Sequence, residues 1–208
     1  MNFFTKVLAL SSLIIPYYQL RANDDGDFML RMRAINIMPV ESGSPTVVGG
    51  KININNESVP EVDFTYFITD ALAFELILAT ASHKVQAYGT SLNNIDLGDV
   101  AILPPTLTAQ YHFKFGKLKP YIGTGINYTF FYGEDPGFAK TIDYKNSFGW
   151  ATQIGLDYNI RDNIYLNLDL KRIALSTDVV VDTYAQGSVS AKVKIDPVIA
   201  GIGLGLRF

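Results

Sequence analysis

The sequence predicts an all-β chain, an eight-stranded antiparallel transmembrane β-barrel with short periplasmic turns and long extracellular loops. Three observations predict it. The 208 residues are 48% hydrophobic and only 18% charged, where soluble domains carry roughly 25% charged residues. No charge-free run exceeds 14 residues, whereas a membrane-spanning helix takes about 20 mostly apolar ones. Nearly everything after Asp27 alternates apolar and polar with a period of two, in an even number of segments whose connections alternate between short and long.

Residues 1–22 read as a signal peptide. Lys6 supplies a positive start, Val7 to Tyr18 an apolar stretch, and Ala22 a small residue at the cleavage point, although Leu20 is bulkier than usual two positions earlier. Residues 23–208 are then the exported barrel. Cysteine is absent, which removes disulfides, thiolate metal sites and cysteine nucleophiles together. A formal net charge of −3, with no basic run longer than two residues, leaves nothing on which to build a nucleic-acid surface.

The strands follow in order. Phe28, Leu30, Met32 and Ala34 alternate with Met29, Arg31, Arg33 and Ile35 in the first, and Val62, Phe64, Tyr66 and Ile68 with Glu61, Asp63, Thr65 and Phe67 in the second. The third, over 72–79, sets Leu72, Phe74, Leu76 and Leu78 against Glu75 and Ile77. The fourth (106–113), fifth (121–130) and sixth (150–158) put Leu107, Tyr111, Ile122, Ile126, Trp150 and Ile154 on the same greasy face. Leu166, Leu168 and Leu170 continue it in the seventh (164–171), and Ile202, Leu204 and Leu206 in the eighth (198–208). Short connections fall at Thr69–Ala71, Phe115–Lys119 and Asn159–Asn163, and long ones at Pro39–Val59, Ser82–Leu103, Tyr132–Ser147 and Ser176–Asp196.

One face is almost purely Leu, Ile, Phe, Tyr and Val on all eight strands, and the other holds the charges and glycines. A soluble barrel of the lipocalin kind points its apolar side chains inward. Charges inside and apolar groups outside are rewarded only by lipid, and closure removes the exposed edges.

With the amino terminus in the periplasm, odd strands rise and even strands descend, so the inward residues can be sorted by height. Arg31, Glu75, Asp157, Asp169, Lys171 and Arg207 fall near the periplasmic end, as a plug of paired charges against water and ions. Ile35, Ile37, Ile77, Ile102, Phe131, Ile173, Leu175 and Ile199 fall nearer the outside. The same counting places Glu61 and Asp63 high, as exceptions. An interior of eight strands is just wide enough for side chains or one small ligand. The aliphatic upper half is therefore either a path for apolar molecules or a small core beneath the loops.

Three strings point to a known family. Leu103-Pro104-Pro105-Thr106-Leu107, Pro120-Tyr121-Ile122-Gly123-Thr124-Gly125-Ile126-Asn127-Tyr128-Thr129 and the ending Gly205-Leu206-Arg207-Phe208 resemble the OmpW/AlkL family of small outer-membrane proteins. The likeness implies an exported barrel in the bacterial outer membrane, with lipid and small hydrophobic solutes as partners, and a narrow apolar passage that opens sideways into the membrane. It favours the ligand path over the small core. Pro104 and Pro105 are the candidates for a wall opening, because proline removes a ladder donor. The terminal Phe208, with apolar residues at every second position before it, reads as a signal for the barrel-assembly machinery, or as part of the aromatic girdle.

Catalysis and cofactors find no support in the spacing. His83 and His112 lie at opposite ends of the barrel, so no shared site or metal cluster forms from them. Ser82, Ser91, Asp96 and Asp99 near His83 show no triad spacing, and Gly201, Gly203 and Gly205 on one strand are wrong for a phosphate loop. The alternative to transport is a barrel that presents its long loops for adhesion or host contact.

Overall fold

The computed structural model describes residues 26–40, 51–90, 93–137, 139–183 and 187–208. The expected signal peptide and Ser91 lie outside them. Eight strands close a barrel: β1 (Phe28–Met38), β3 (Glu57–Phe67), β4 (Leu72–Ala79), β7 (Thr106–His112), β8 (Leu118–Tyr132), β10 (Ser147–Arg161), β11 (Ile164–Thr183) and β13 (Val198–Arg207). They are neighbours in that order, all antiparallel, and β13 pairs with β1 to seal the ring.

The two-residue alternation decides which face is which. Phe148 and Trp150 are 73% and 69% exposed while Arg31, Glu75 and Asp63 are at 0%. The burial order of a soluble protein is thus reversed, as a lipid solvent demands. Register is pinned by this asymmetry, because a slip by one residue would turn every charge into the membrane.

Local chemistry sets the short turns. Thr69 Oγ1 accepts from the backbone N–H of Leu72 at 3.0 Å in the β3–β4 turn. Asp162 takes a left-handed φ of 48° between β10 and β11, and Asn159 Nδ2 donates to its carbonyl at 2.7 Å. Inside, glycine makes room. The ring of Tyr121 lies where a side chain on Gly155 would go, its Cζ 2.1 Å from the Cβ position.

The long connections differ from their expected form. Rather than irregular loops they contain further strands: β2 (Lys51–Ile54), β5 (Ala81–Thr90), β6 (Asn93–Leu103), β9 (Thr141–Tyr144) and β12 (Gly187–Lys194). β5 and β6 form a hairpin carrying β2, and the upper half of β11 pairs with β12 on one side and β9 on the other. β11 is unbroken for 20 residues. Its outer portion, Val179 to Val181, is rich in β-branched residues that favour strand over loop.

Candidate functional site

The lumen is stacked in layers, and each layer follows from which residues the strands turn inward. At the periplasmic end, Met29, Phe67, Ala73 and Tyr165 form a buried apolar cluster. The guanidinium of Arg207 sits 4.2 Å over the Phe67 ring, and its Nε donates to Asp27 at 2.9 Å. His112 stacks at 5.0 Å against Tyr121 and lies 5.0 Å from Phe67. Arg207 thus stands apart from the other charges with which the sequence grouped it. Met29 and Phe67, which occupy inward positions at the strand ends, form an apolar floor that counting charges missed.

Above this floor lies the charge layer. Arg31 meets Asp157 through Nη2 at 2.7 Å and Nε at 3.2 Å, Asp63 at 3.0 Å and Glu75 at 3.2 Å. Arg33 meets Glu61 at 2.8 Å, Asp63 at 3.1 Å and Glu75 at 2.8 Å. Lys171 meets Glu61 at 2.7 Å and Asp169 at 3.2 Å. Every one of these side chains is 2% exposed or less. Charges so deeply buried persist only when paired and hydrogen-bonded. Neutral groups complete the set: Gln110 and Gln153 donate to Glu75 Oε2 at 2.6 and 2.7 Å, Tyr121 to Asp169 at 2.7 Å, and Asn167 to Asp157 at 2.8 Å.

Glu61 and Asp63 belong in this layer rather than above it. In the β1–β3 register Arg31 faces Asp63 and Arg33 faces Glu61. The level of Glu61 and Asp63 differs from the expected one because β3 begins at Glu57, several residues higher than the alternation alone suggests. The polar donors Gln110, Gln153, Asn167 and Tyr121 were visible as inward positions, but uncharged residues gave no signal of partnership.

The next layer is aliphatic. Ile35, Ile37, Ala81, Ala151, Ile173, Leu175 and Ile199 form one buried cluster, with Val59, Ala79, Ile102 and Ile195 packed against it. Six of the eight residues named from the sequence for this region therefore meet one another. Ile77 is buried at 3% but stands outside the cluster, beside the charge layer through its pairing with Asp63. Phe131 is elsewhere, stacked on Tyr144 at 5.6 Å toward the rim.

Beside this layer the wall is interrupted. β4 and β7 pair from Leu72↔Tyr111 up to Ile77↔Thr106, and pairing resumes at Ala81↔Ile102 between β5 and β6. Leu78 to Thr80 and Leu103 to Pro105 face each other between these points, joined by the Thr80 hydroxyl, which donates to the Ile102 carbonyl at 3.1 Å. The other side of the same segment is held. The Tyr128 N–H donates to the Pro105 carbonyl at 3.0 Å, and Asn127 Nδ2 donates to the Pro104 carbonyl at 3.2 Å and to Thr106 Oγ1 at 2.9 Å. Since Pro105 bonds toward β8, the alternation of an antiparallel strand turns residue 104 toward Ala79 on β4. Proline there has no N–H to give.

The remaining singled-out residues sit at the two ends. His83 is buried in β5, with Nδ1 3.1 Å from the Asn55 carbonyl, and burial holds its imidazole below the ordinary histidine range. No group of three or more metal-binding side chains occurs among the described residues. Phe208 exchanges backbone hydrogen bonds of 2.8 Å with Phe28, and their rings lie 6.3 Å apart at the periplasmic rim.

Known proteins share this architecture. An uncharacterised outer-membrane protein of Sinorhizobium fredii is 40% identical over 185 residues, which span 87% of this chain and 80% of that one. The crystal structure of the outer membrane protein OprG from Pseudomonas aeruginosa superposes with a TM-score of 0.83 at 26% identity, covering 89% of this chain and 97% of OprG. The solid-state NMR structure of the outer membrane protein AlkL in lipid bilayers gives 0.73 at 26% identity, covering 92% and 94%. Residues 24–208 match the OmpW family throughout, so the barrel, its lipid-facing wall and its place in the outer membrane are those of a protein that belongs to the OmpW family.

Proposed function

We propose that this barrel passes small hydrophobic molecules passively from the outside into the membrane, through the aliphatic upper lumen and out sideways between β4 and β7. The observation that carries the reading is the interrupted ladder. It lies against the apolar cluster through Ala79 and Ile102, and below it the charge layer and the apolar floor block any straight descent. An apolar solute gains about 25 cal/mol per Å² of surface it buries in such a lumen, and water and ions gain nothing. Lateral exit then returns the solute to lipid without crossing the buried charges.

The test restores the missing donors. Pro104→Thr with Pro105→Thr lets the ladder zip from Ile77 to Ala81, and uptake of a fluorescent long-chain apolar probe into cells is expected to fall severalfold while the barrel still folds. Unchanged uptake overturns the proposal. One observation favours a second reading: the isoleucines of the upper lumen touch one another, and strands continue outward as hairpins. A barrel that only presents those hairpins would tolerate Ile173→Asp without loss of role, whereas a conducting one loses passage of the apolar probe.

A further inference from the structure

The lipid-facing wall carries a charge that transport does not use. On β11 the outward positions run Ile164, Leu166, Leu168, Leu170 and then Arg172, whose side chain is 63% exposed. Among the described residues of the eight barrel strands, every outward position below it is uncharged except Arg161, which ends β10 at the periplasmic rim opposite Ile164. A strand rises about 3.3 Å per residue and tilts by roughly 40°, so eight residues climb on the order of 20 Å. With Ile164 at the periplasmic edge of a band about 25 Å tall, Arg172 lies at the inner margin of the outer interface. Its neighbour confirms the level. Trp150 pairs with Ala174 and Thr152 with Arg172, so the 69%-exposed indole is diagonally adjacent to the guanidinium, and Phe148 continues the aromatic girdle above.

Among the described residues no hydrogen bond reaches this cation. Asp196 is its ion-pair partner, at 3.7 Å, longer than a hydrogen bond. The same carboxylate oxygen meets Lys194 at 3.1 Å, and Lys194 is itself 57% exposed. Asp196 is fixed for this work. It takes a left-handed φ of 38° at the junction of β12 and β13, and its other oxygen accepts the Leu175 N–H at 3.0 Å. Two cations therefore share one immobile carboxylate, which leaves a net positive charge on an exposed stretch of the wall. In the β11–β12 register Lys194 faces Ser176, which puts it on the outward side with Arg172.

We propose that Arg172 and Lys194 form a seat for the phosphate of an outer-leaflet lipid headgroup, with Trp150 packing beside its acyl chains. A phosphate accepts two parallel N–H donors from arginine, and an interfacial lipid presents it at this height with chains running down Leu170 and Ile154. This seat is independent of the lumen and of any solute path.

Trp150 is the sole tryptophan of the chain, so intrinsic fluorescence reads the site directly. The folded barrel in phosphatidylcholine nanodiscs is titrated with bisphosphorylated lipid A, with its dephosphorylated form, and with inorganic phosphate. A saturable Trp150 response to the bisphosphorylated lipid alone is expected. In Arg172→Gln its midpoint should move on the order of tenfold higher, with the heat-modifiable gel mobility of the folded barrel unchanged, and Arg172→Lys should recover part of the affinity. An equal response to the dephosphorylated lipid, or an unshifted midpoint in Arg172→Gln, overturns the proposal. A response reproduced by inorganic phosphate alone overturns the lipid as its source.

Discussion

Replacing Arg31 by methionine tests whether the charge layer holds the barrel together. Methionine fills similar volume and keeps the apolar stem, so the change isolates the guanidinium. Arg31 touches Asp157, Asp63 and Glu75 and donates to Thr65 at 2.6 Å. Asp63 and Glu75 retain Arg33, at 3.1 and 2.8 Å, but Asp157 loses its one cation and keeps only Asn167. Removing one partner of a buried pair costs about 3–5 kcal/mol because the stranded charge stays buried, and a single stranded carboxylate is therefore the expected debt. Adding Asp157→Asn should return most of it, with a coupling on the order of 1–3 kcal/mol. Urea unfolding from lipid vesicles, followed by the Trp150 signal, measures both. A variant within about 1 kcal/mol of the parent, or no recovery in the double variant, would refute the view that this layer is a mutually dependent network.

Two further outcomes follow from the lumen and the rim. Gly155→Ala places a Cβ 2.1 Å from Tyr121 Cζ, so Tyr121 must leave Asp169; a loss of about 1–3 kcal/mol is expected from overpacking, with Tyr121→Ala in the same chain relieving the clash, both read by the same unfolding assay. His83 has its pKa lowered by burial, so below the ordinary value of about 6.5 the opened chain takes up a proton that the closed one resists. Protection of the β5 amides from hydrogen exchange, corrected for intrinsic rates, should then be full above that pH and decline as pH falls below it; His83→Leu should flatten the decline.

Much of the barrel was legible because alternation is a strong constraint when one face meets lipid. The inward and outward faces of all eight strands, and the short turns at Thr69, Gly116 and Asp162, follow from that period and from turn chemistry. Heights were less legible, since they depend on where each strand starts. Glu61 and Asp63 were misplaced for this reason, although their pairing with Arg33 and Arg31 across β1 and β3 is a matter of register alone. Among the extracellular strands, Lys51–Ile54 and Thr141–Tyr144 were hidden because they are four residues each, too short for a period to declare itself. The ladder gap was only half visible: the prolines marked the strand, but the facing segment Leu78–Thr80 carries no comparable sign.

The charge layer also fixes when the barrel can exist. Its cations come from β1 and β11 and its anions from β3, β4, β10 and β11; Arg31 and Arg33 find Asp63 and Glu61 on the neighbouring strand, but Arg31–Asp157 and Lys171–Glu61 form only when the first and last thirds of the chain meet. A half-built sheet would leave Asp157 without its guanidinium and Lys171 without Glu61 against hydrocarbon. Closure is therefore the step that makes the interior tolerable, and insertion should be all-or-none and slow, governed by contacts between residues more than a hundred positions apart.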